Sequence, residues 1–535
     1  MTDKSKRVSA FSVQILSGLL SSVAEEMGTA LQRSGFSPNI KERRDYSCAV
    51  FDSHGHVIAQ ASHIPAHLGA MPSSVDAARN ILGDQPKIGD MVILNDPDNG
   101  GTHLPDITTV SPVFSDSEGM SGVLGFLATR AHHSDVGGMS PGSMPIANEI
   151  FQEGLIIPPV FLCRAGKEDS DLLALIYANV RTPRERKGDL LGQIGAHRIG
   201  EQRMFEIVGN YGESNVRDMF SELIQYSKTL TKARLSKLPI GEYCYTDYLD
   251  DDGFGEINIP ISLKISITGE KILFDFSGSA ECVNGCVNAP MAVTLACVYY
   301  VLRCVIGSDV PANSGMYDCV DVIIPELSVL NPGRSKAVAG GNVETSQRVT
   351  DVIWGALSQV LPEMVPAAGT GSMNNLSFGG RDCQTGDLFA YYETMGGGAG
   401  GGPNTYGASG IHVSMSNTRN TPVEALEFDY PVMVERYELR SGSGGGGINR
   451  GGLGLRRDIR ALNPMRVSLL TERRSRAPYG LNGGEFGETG KNRMFSDGRW
   501  SNLPAKCSFD LAAGEIVSVS SAGGGGWGSA MDPTI

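Results

Sequence analysis

Gly89-Asp-Met-Val-Ile-Leu-Asn-Asp-Pro-Asp-Asn-Gly-Gly-Thr-His-Leu-Pro-Asp106 begins as a short apolar run and empties into a polar loop. Four consecutive apolar residues between turn formers predict a buried strand. Pro97, Gly100, Gly101 and Pro105 then restrict the loop beyond it. Gly122-Val-Leu-Gly-Phe-Leu-Ala-Thr-Arg130 repeats the plan, with His132 and His133 at its exit. Two strand ends therefore set polar side chains beside glycine-rich loops, the usual place for a site carried on a rigid scaffold.

Working outward, Phe11, Ile15, Leu19, Leu20, Val23, Met27 and Leu31 recur at helical spacing and predict a helix over 11–33, stopped at Gly35. Residues 45–51 read as a strand, 52–55 as a hairpin turn and 57–60 as the returning strand. A helix is expected to begin near Pro72. Residues 186–235 read as mainly helical and 240–285 as short strands and turns. Helices are expected over 289–305 and 344–361, and glycine-rich strands and loops after 365.

The expected fold is a multi-domain α+β mixture with Gly-rich strands and loops and a metal site in the N-terminal half. Three domains are expected: 1–240, α+β and metal-binding; 241–365, central α+β; 366–535, Gly-rich and mainly β. No clean linker separates them.

Composition narrows the function. The chain has 535 residues and a formal charge of −14, which opposes non-specific contact with nucleic acid or anionic lipid. The basic pieces at 41–44 and 181–187 are short and contain acids, so they read as local salt bridges or anion contacts. The start of the chain lacks the apolar core of an export leader, and the apolar run at 289–302 is too short to span a bilayer. A cytoplasmic enzyme is expected, with no nucleic-acid or membrane partner. Ten cysteines, of which only Cys282 and Cys286 lie close together, indicate reduced thiols rather than a disulfide framework or a four-cysteine zinc site. The 68 glycines follow no three-residue period, which excludes collagen and implies tight turns or close backbone approaches.

His103 and Asp106 stand three residues apart in a loop fixed by Pro105, and His132 and His133 adjoin Asp135. Imidazole and carboxylate together suit borderline divalent metals, and a catalytic site keeps a position for water. Three of the chain's nine histidines fall in these two loops. Neighbours leaving a strand point oppositely, so one member of the pair would hold an ion while the other serves beside it. Turn-forming acids with solvated histidines remain the alternative. His63 and His67, with Asp52, His54 and His56 nearby, read as structural or as lining an entrance. His412 fits a satisfied core histidine equally well.

No GxxxxGK[ST] is present, and no GxGxxG lies between an obvious strand and helix. The glycine runs at 396–402 and 442–447 lack the required lysine, and no cysteine nucleophile set is found. The chemistry is left to water activated by a divalent ion.

Several segments in order, 39–52, 63–72, 95–106, 130–145, 340–348, 417–424 and 521–528, resemble the hydantoinase B/oxoprolinase family across nearly the whole chain. That family includes ATP-dependent N-methylhydantoinases, 5-oxoprolinases, related lactamases and the large subunits of acetone and acetophenone carboxylases. The resemblance implies a B-type subunit in a hetero-oligomer with an A-type ATPase subunit, hydantoinase A-like, that binds ATP and phosphorylates a 5-oxoproline, hydantoin or lactam. It implies a divalent metal ion (Zn, Mn or Fe) held by Asp45, His103, Asp106 and His132. His133 and Asp135 are expected to handle protons or orient groups, and Arg130 to meet a substrate carboxylate or phosphate unless it forms a plain salt bridge. Asn342, Glu344 and Arg348 are expected either to line the same cavity or to cap and pack a helix. The loop at 115–121 is longer than the family's usual one. The rival reading is an ATP-dependent carboxylase subunit; an assembly subunit with a decayed site is the non-enzymatic one.

Overall fold

The computed structural model describes residues 10–115 and 122–529, so all but Ser115 of the long loop at 115–121 lies outside the described residues. Helix α1 (Ala10–Ser34) buries Leu16, Leu20, Val23, Met27 and Leu31. Ile15 and Leu19, on the margin of that stripe, are exposed, and the side chain of Phe11 lies outside the described residues. A short α2 (Pro38–Lys41) leads into the expected hairpin, β1 (Tyr46–Asp52) and β2 (Val57–Gln60). Helix α3 (Pro65–Leu82) starts well before Pro72. Pro65 occupies the first turn, where an N–H has no helical partner to lose, and Pro72 is carried inside at the expense of one i→i−4 bond.

Strands β3 (Met91–Leu94), β4 (Asp106–Phe114), β5 (Val123–His132), β6 (Val160–Arg164) and β7 (Lys167–Glu168) complete a seven-stranded sheet, order β2-β1-β5-β4-β3-β6-β7, antiparallel throughout. Helix α4 (Ser170–Ala178) follows, then the predicted helical stretch as two helices, α5 (Pro183–Tyr211) and α6 (Glu213–Leu235). Tyr46, Cys48, Val50, Leu127 and Ala131 face a core built with α1, α5 and α6. Ala49, Phe51, Val110, Phe126 and Ala128 face α3 on the other side. The two-residue alternation of a strand then assigns Asp106, Thr108, Arg130 and His132 to the α3 face, and Thr109, Ser111 and Thr129 to the α5 face.

Strands β8 (Gly241–Asp251), β9 (Ile257–Ile267), β10 (Ile272–Asp275) and β11 (Val320–Ile323) form a second sheet, order β11-β10-β9-β8, with only the β10–β11 pair parallel. Helices α7 (Met291–Ile306) and α9 (Ser346–Leu357) fill its core; α8 (Ser314–Tyr317) lies between them in sequence, and a π-helical turn, Gly341–Thr345, introduces α9. The remaining elements are β12 (Asn375–Arg381), β13 (Leu388–Glu393), α10 (Val423–Asp429), β14 (Val432–Leu439), β15 (Leu455–Ala461), β16 (Met465–Leu470), β17 (Lys491–Ser496), β18 (Arg499–Leu503), β19 (Lys506–Leu511) and β20 (Ile516–Ser520). They build a four-stranded sheet, β13-β12-β16-β19, and a five-stranded one, β14-β15-β20-β17-β18. The protein is thus a multi-domain mixture of helices with several sheets.

The central core continues into neighbouring elements, taking in Ile64, Ala66, Tyr392, Met415 and Leu470. Buried charges join the same parts. Arg348 pairs with Asp247 at 2.8 Å and Glu472 at 3.2 Å, Lys506 with Glu472 at 2.6 Å, and Arg473 with Asp351 at 2.5 Å. Such pairs are costly to break one partner at a time.

The glycine runs pack on one another. Gly401 N donates to Gly525 O, Gly445 N to Gly524 O and Gly524 N to Gly452 O, at 2.8 to 2.9 Å. A Cβ placed on Gly524 would stand 1.9 Å from the Ala399 carbonyl oxygen, closer than any side chain allows. The close backbone approaches expected of the glycines are made here between the runs themselves, and Gly442, at φ 78°, turns the chain as well.

Candidate metal centre

Asp106 opens β4 and His132 closes β5, and the two are directly paired across the ladder. His103 reaches back from the loop before β4. The Asp106 Oδ1 atom lies 3.0 Å from His103 Nε2 and 3.1 Å from His132 Nδ1, and the two nitrogens are 3.2 Å apart. All three side chains are buried, and among the described residues they are the one group of three or more His, Cys, Asp or Glu placed to hold an ion. Ligands about 2.1 Å from a shared ion stand about 3.4 Å apart at tetrahedral angles and about 3.0 Å apart at octahedral ones, so donor spacings of 3.0 to 3.2 Å fit a divalent metal. Two imidazoles and a carboxylate are also a donor set that such ions take.

The surroundings fix this triangle. Thr102 Oγ1 donates to Asp106 Oδ2 at 2.7 Å, and Asn342 Nδ2 donates to the same oxygen at 3.1 Å. Burial alone would raise the Asp106 carboxyl. The imidazoles of His103 and His67, with hydrogen bonds from His103 and His132, outweigh it and hold the group well below the usual carboxylate range. Burial pushes the His132 imidazole down, partly offset by Asp106 and Asp45, which favours the neutral ring whose nitrogen can donate a lone pair. The Tyr392 ring stacks on His132, 4.3 Å between centroids and 18° from parallel.

Asp45 lines the same interior but stands outside the triangle. Its carboxylate turns to the buried Arg43 guanidinium at 3.5 Å and to His67 Nε2 at 3.8 Å. Arg43 also donates to Tyr392 O, Thr394 Oγ1 and Asn39 Oδ1, so the cation that draws Asp45 aside is itself held fast. His67 connects the two carboxylates, with Nε2 3.4 Å from Asp106 Oδ2 and Nδ1 3.3 Å from Ser47 Oγ. The structural role read for His67 understates its place beside the triangle; the usable signal was Pro65, which starts a helix that carries His67 inward.

His133 leaves the strand on the opposite side from His132, and its Nε2 lies 3.0 Å from Gln193 Oε1. It joins a buried polar seam between sheet and α5 in which Gln193 donates to Thr129, Thr129 contacts Thr109, and His197 contacts Thr109 and Ser111. Asp135 is also elsewhere, accepting from Gly137 N, Gly142 N and both the backbone and guanidinium of Arg181. Arg130 faces α3 as its strand parity requires. Its guanidinium donates to Thr108, Ser74, the Gly100 carbonyl and the His67 carbonyl, which spends four of its five N–H donors on protein. Of the trio expected to line the cavity, Asn342 touches Asp106, whereas Arg348 belongs to the distant ion-pair cluster. Glu344 lies one residue removed, bonded to Asn375, whose Oδ1 accepts from the Tyr392 hydroxyl.

Two cavities flank the segment 411–418 that covers this interior. One, of about 530 Å³, is lined by His63, Pro65, Tyr299 and Asn417; the other, of about 450 Å³, by His412, Trp354, Gly369 and Gly400. His63 accepts a hydrogen bond from Cys48 N, and His412 is half-buried with Ser416 and Thr418 as partners.

A sheet-borne His–Asp–His triangle within this four-sheet fold makes a candidate metal centre, and sequence comparison supplies the family. The model for hydantoinase B/oxoprolinase matches residues 9–530, and this chain belongs to that family. An uncharacterized protein of Methanocaldococcus jannaschii is 40% identical, covering 98% of this chain and 91% of its own length. The 5-oxoprolinase 1 of Arabidopsis thaliana is 39% identical over 95% of this chain, which spans only 41% of that longer protein. Among solved structures, the ATP-dependent caprolactamase from Pseudomonas jessenii superposes with a TM-score of 0.89 at 27% identity, covering 98% of this chain and 92% of that one. Among the described residues, no helix is long and apolar enough to cross a membrane.

Proposed function

We propose that this chain is the ring-opening component of an ATP-dependent cyclic-amide hydrolase, acting with a separate A-type ATPase chain. The observation that carries the reading is the buried triangle of His103, Asp106 and His132, set in a family whose members are named for 5-oxoproline and hydantoins. The lack of a GxxxxGK[ST] motif supports ATP binding on the partner, and the Arabidopsis relative, more than twice as long, has room for both functions.

An amide resists water because of its resonance. Transfer of the ATP γ-phosphoryl group to the lactam oxygen on the partner would remove that protection and give a phosphorylated imidate. Water then adds to the activated carbon, the carbon–nitrogen bond breaks as the nitrogen takes a proton to leave an acyl phosphate, and a second water releases phosphate and the opened amino acid. A divalent ion, Zn, Mn or Fe, held by His103, Asp106 and His132 would lower the pKa of the attacking water and polarise the carbon. Thr102 and Asn342 keep Asp106 oriented, Tyr392 keeps His132 in plane, and the enclosed interior keeps bulk water from the activated ring. Asp45, between Arg43 and His67, offers a carboxylate next to the triangle as a further ligand or proton acceptor. Arg130, His133 and Asp135 act as orienting groups: Arg130 ties the 95–106 loop to α3, His133 anchors the end of β5, and Asp135 organises the loop that follows.

The test is reconstitution with the A-type ATPase, ATP and each of 5-oxoproline, hydantoin and ε-caprolactam. Ring opening in step with phosphate release, without bicarbonate and abolished by His103→Ala, is expected. A strict requirement for bicarbonate would replace this reading with the carboxylase one.

A further inference from the structure

We propose that the cavity between α1 and α7 binds a small zwitterionic amino acid, the product class of ring opening; that last identification rests on the cyclic-amide reading above. The cavity holds about 530 Å³, within the range of small-molecule sites. Glu25 of α1 and Arg303 of α7 both line it. Among the described residues, the one ionisable partner of Glu25 is His63, with Nε2 3.8 Å from Oε2. His63 Nδ1 accepts from Cys48 N at 3.1 Å, and burial pushes the imidazole down to about 4, so it is uncharged near neutral pH. Ser62 N donates to Glu25 Oε1 at 2.9 Å. The carboxylate is thus oriented, half-exposed and without a paired cation. Arg303 is its counterpart. Nη1 donates to Gly307 O at 2.7 Å and to Val310 O, and Nη2 donates to Ser308 O at 3.0 Å. Three of its five N–H donors are spent on the chain that follows α7, which fixes the guanidinium and leaves two unspent. Asp309, the other acid of the lining, is taken by Arg234 at 2.6 Å.

Tyr299, Tyr300 and Tyr317 line the same cavity, and the rings of Tyr299 and Tyr317 stack 4.0 Å apart, 18° from parallel. Aromatic faces suit methylene groups and an ammonium alike. An unpaired carboxylate, a fixed guanidinium and these rings together fit a molecule with an ammonium at one end and a carboxylate at the other. A lactam nitrogen is uncharged; ring opening creates an ammonium and a carboxylate together. The cavity is also separate from the metal-ligand triangle. Pro65, Leu68 and Gly69 turn one side of α3 toward it, whereas His67 reaches Asp106 Oδ2 at 3.4 Å from the opposite side of that helix. A Cβ on Gly69 would lie 2.4 Å from Ala296 Cα, so α3 and α7 cross in contact along the cavity wall as only glycine allows. The amino acid would therefore sit one helix away from the interior that His67 shares with Asp106.

Calorimetric titration of the full-length chain with two matched pairs tests this: 6-aminohexanoate against hexanoate, and glutamate against glutarate. An amino acid of the pair is expected to bind at least about tenfold more tightly than the same molecule without its amine, the cost of losing one charge-assisted partner. In Glu25→Gln, which keeps the acceptor for Ser62, that ratio should fall to within about threefold, and in His103→Ala it should be unchanged. Binding of neither amino acid would overturn the inference, as would equal affinity for the two members of each pair. So would binding that survives Glu25→Gln and is lost in His103→Ala, which would put the ligand at the metal centre. None of these results touches the cyclic-amide reading, which ring opening by the reconstituted enzyme tests separately. Selective amino-acid binding without ring opening of any lactam would keep this site and remove that reading.

Discussion

The imidazole of His132 lies flat against the phenol ring of Tyr392, two side chains 260 residues apart in the chain and 4.3 Å apart between ring centroids. The Tyr392 hydroxyl donates to Asn375 Oδ1 at 2.7 Å, and the Arg43 guanidinium stands 5.1 Å from the same ring. The C-terminal part of the molecule therefore orients a histidine presented by the N-terminal sheet. Tyr392→Leu should loosen His132 and weaken metal binding about 10- to 100-fold, the range for groups that orient a ligand. Tyr392→Phe, which keeps the ring, should lose much less. Competition with a metal-sensitive dye distinguishes the two variants, and equal loss in both would assign the effect to the hydroxyl.

Glu153, outside the His103–Asp106–His132 triangle, supplies a pH dependence of stability. Its Oε1 accepts from Val338 N and Ala339 N, both at 2.9 Å, and burial outweighs those bonds to push the carboxyl from 4.5 up to about 8. Between those values the folded chain keeps a proton that the unfolded chain has released. The stability this residue contributes is therefore whole at low pH, declines as the pH rises above 4.5, and is fully lost once the pH passes 8. Glu153→Gln should match wild type in denaturant midpoint near pH 4.5 and exceed it increasingly up to about pH 8. A difference that does not change with pH would contradict this assignment.

The packed glycine segments predict opposite outcomes for one substitution at two places. Gly524→Ala drives a methyl to within 1.9 Å of the Ala399 carbonyl oxygen, where only backbone could give way, so a sharply lowered melting temperature or loss of folded protein is expected. Gly209→Ala, in α5 with nothing within 4 Å of the added carbon, should stabilise by about 0.5–1 kcal/mol through helix propensity. Thermal unfolding of both variants checks the pair, and a tolerated Gly524→Ala would contradict the packing described.

Strand period and loop chemistry made much of the N-terminal sheet legible. The apolar run before Asn95 and the 122–130 strand are both present, and the alternation along β4 and β5 is enough to bring Asp106 and His132 to one face. Which histidine of the adjacent pair faces inward follows from the same parity. What stayed hidden comes from elsewhere in the chain. Asp45 was visible only through resemblance, and its turn toward Arg43 depends on contacts that Arg43 makes with Tyr392 and Thr394. No local pattern marks Tyr392 as the wall behind His132. Placing the start of α3 at Pro72 rather than Pro65 concealed His67, because a helix beginning at Pro65 carries that imidazole between the two carboxylates. Arg130, His133 and Asp135 drew notice through their neighbours in sequence, yet strand parity sends His133 to the far side of the sheet and backbone amides claim Asp135.

The central claim is that His103 Nε2, Asp106 Oδ1 and His132 Nδ1 close on one divalent ion. Anomalous diffraction from crystals of the full-length chain, collected at the absorption edge of the metal found in the purified protein, tests it most directly. The account predicts a single strong peak within bonding distance of all three atoms, absent in His103→Ala crystals. A metal-free protein with those side chains unchanged, or a peak bounded by other residues, would contradict it.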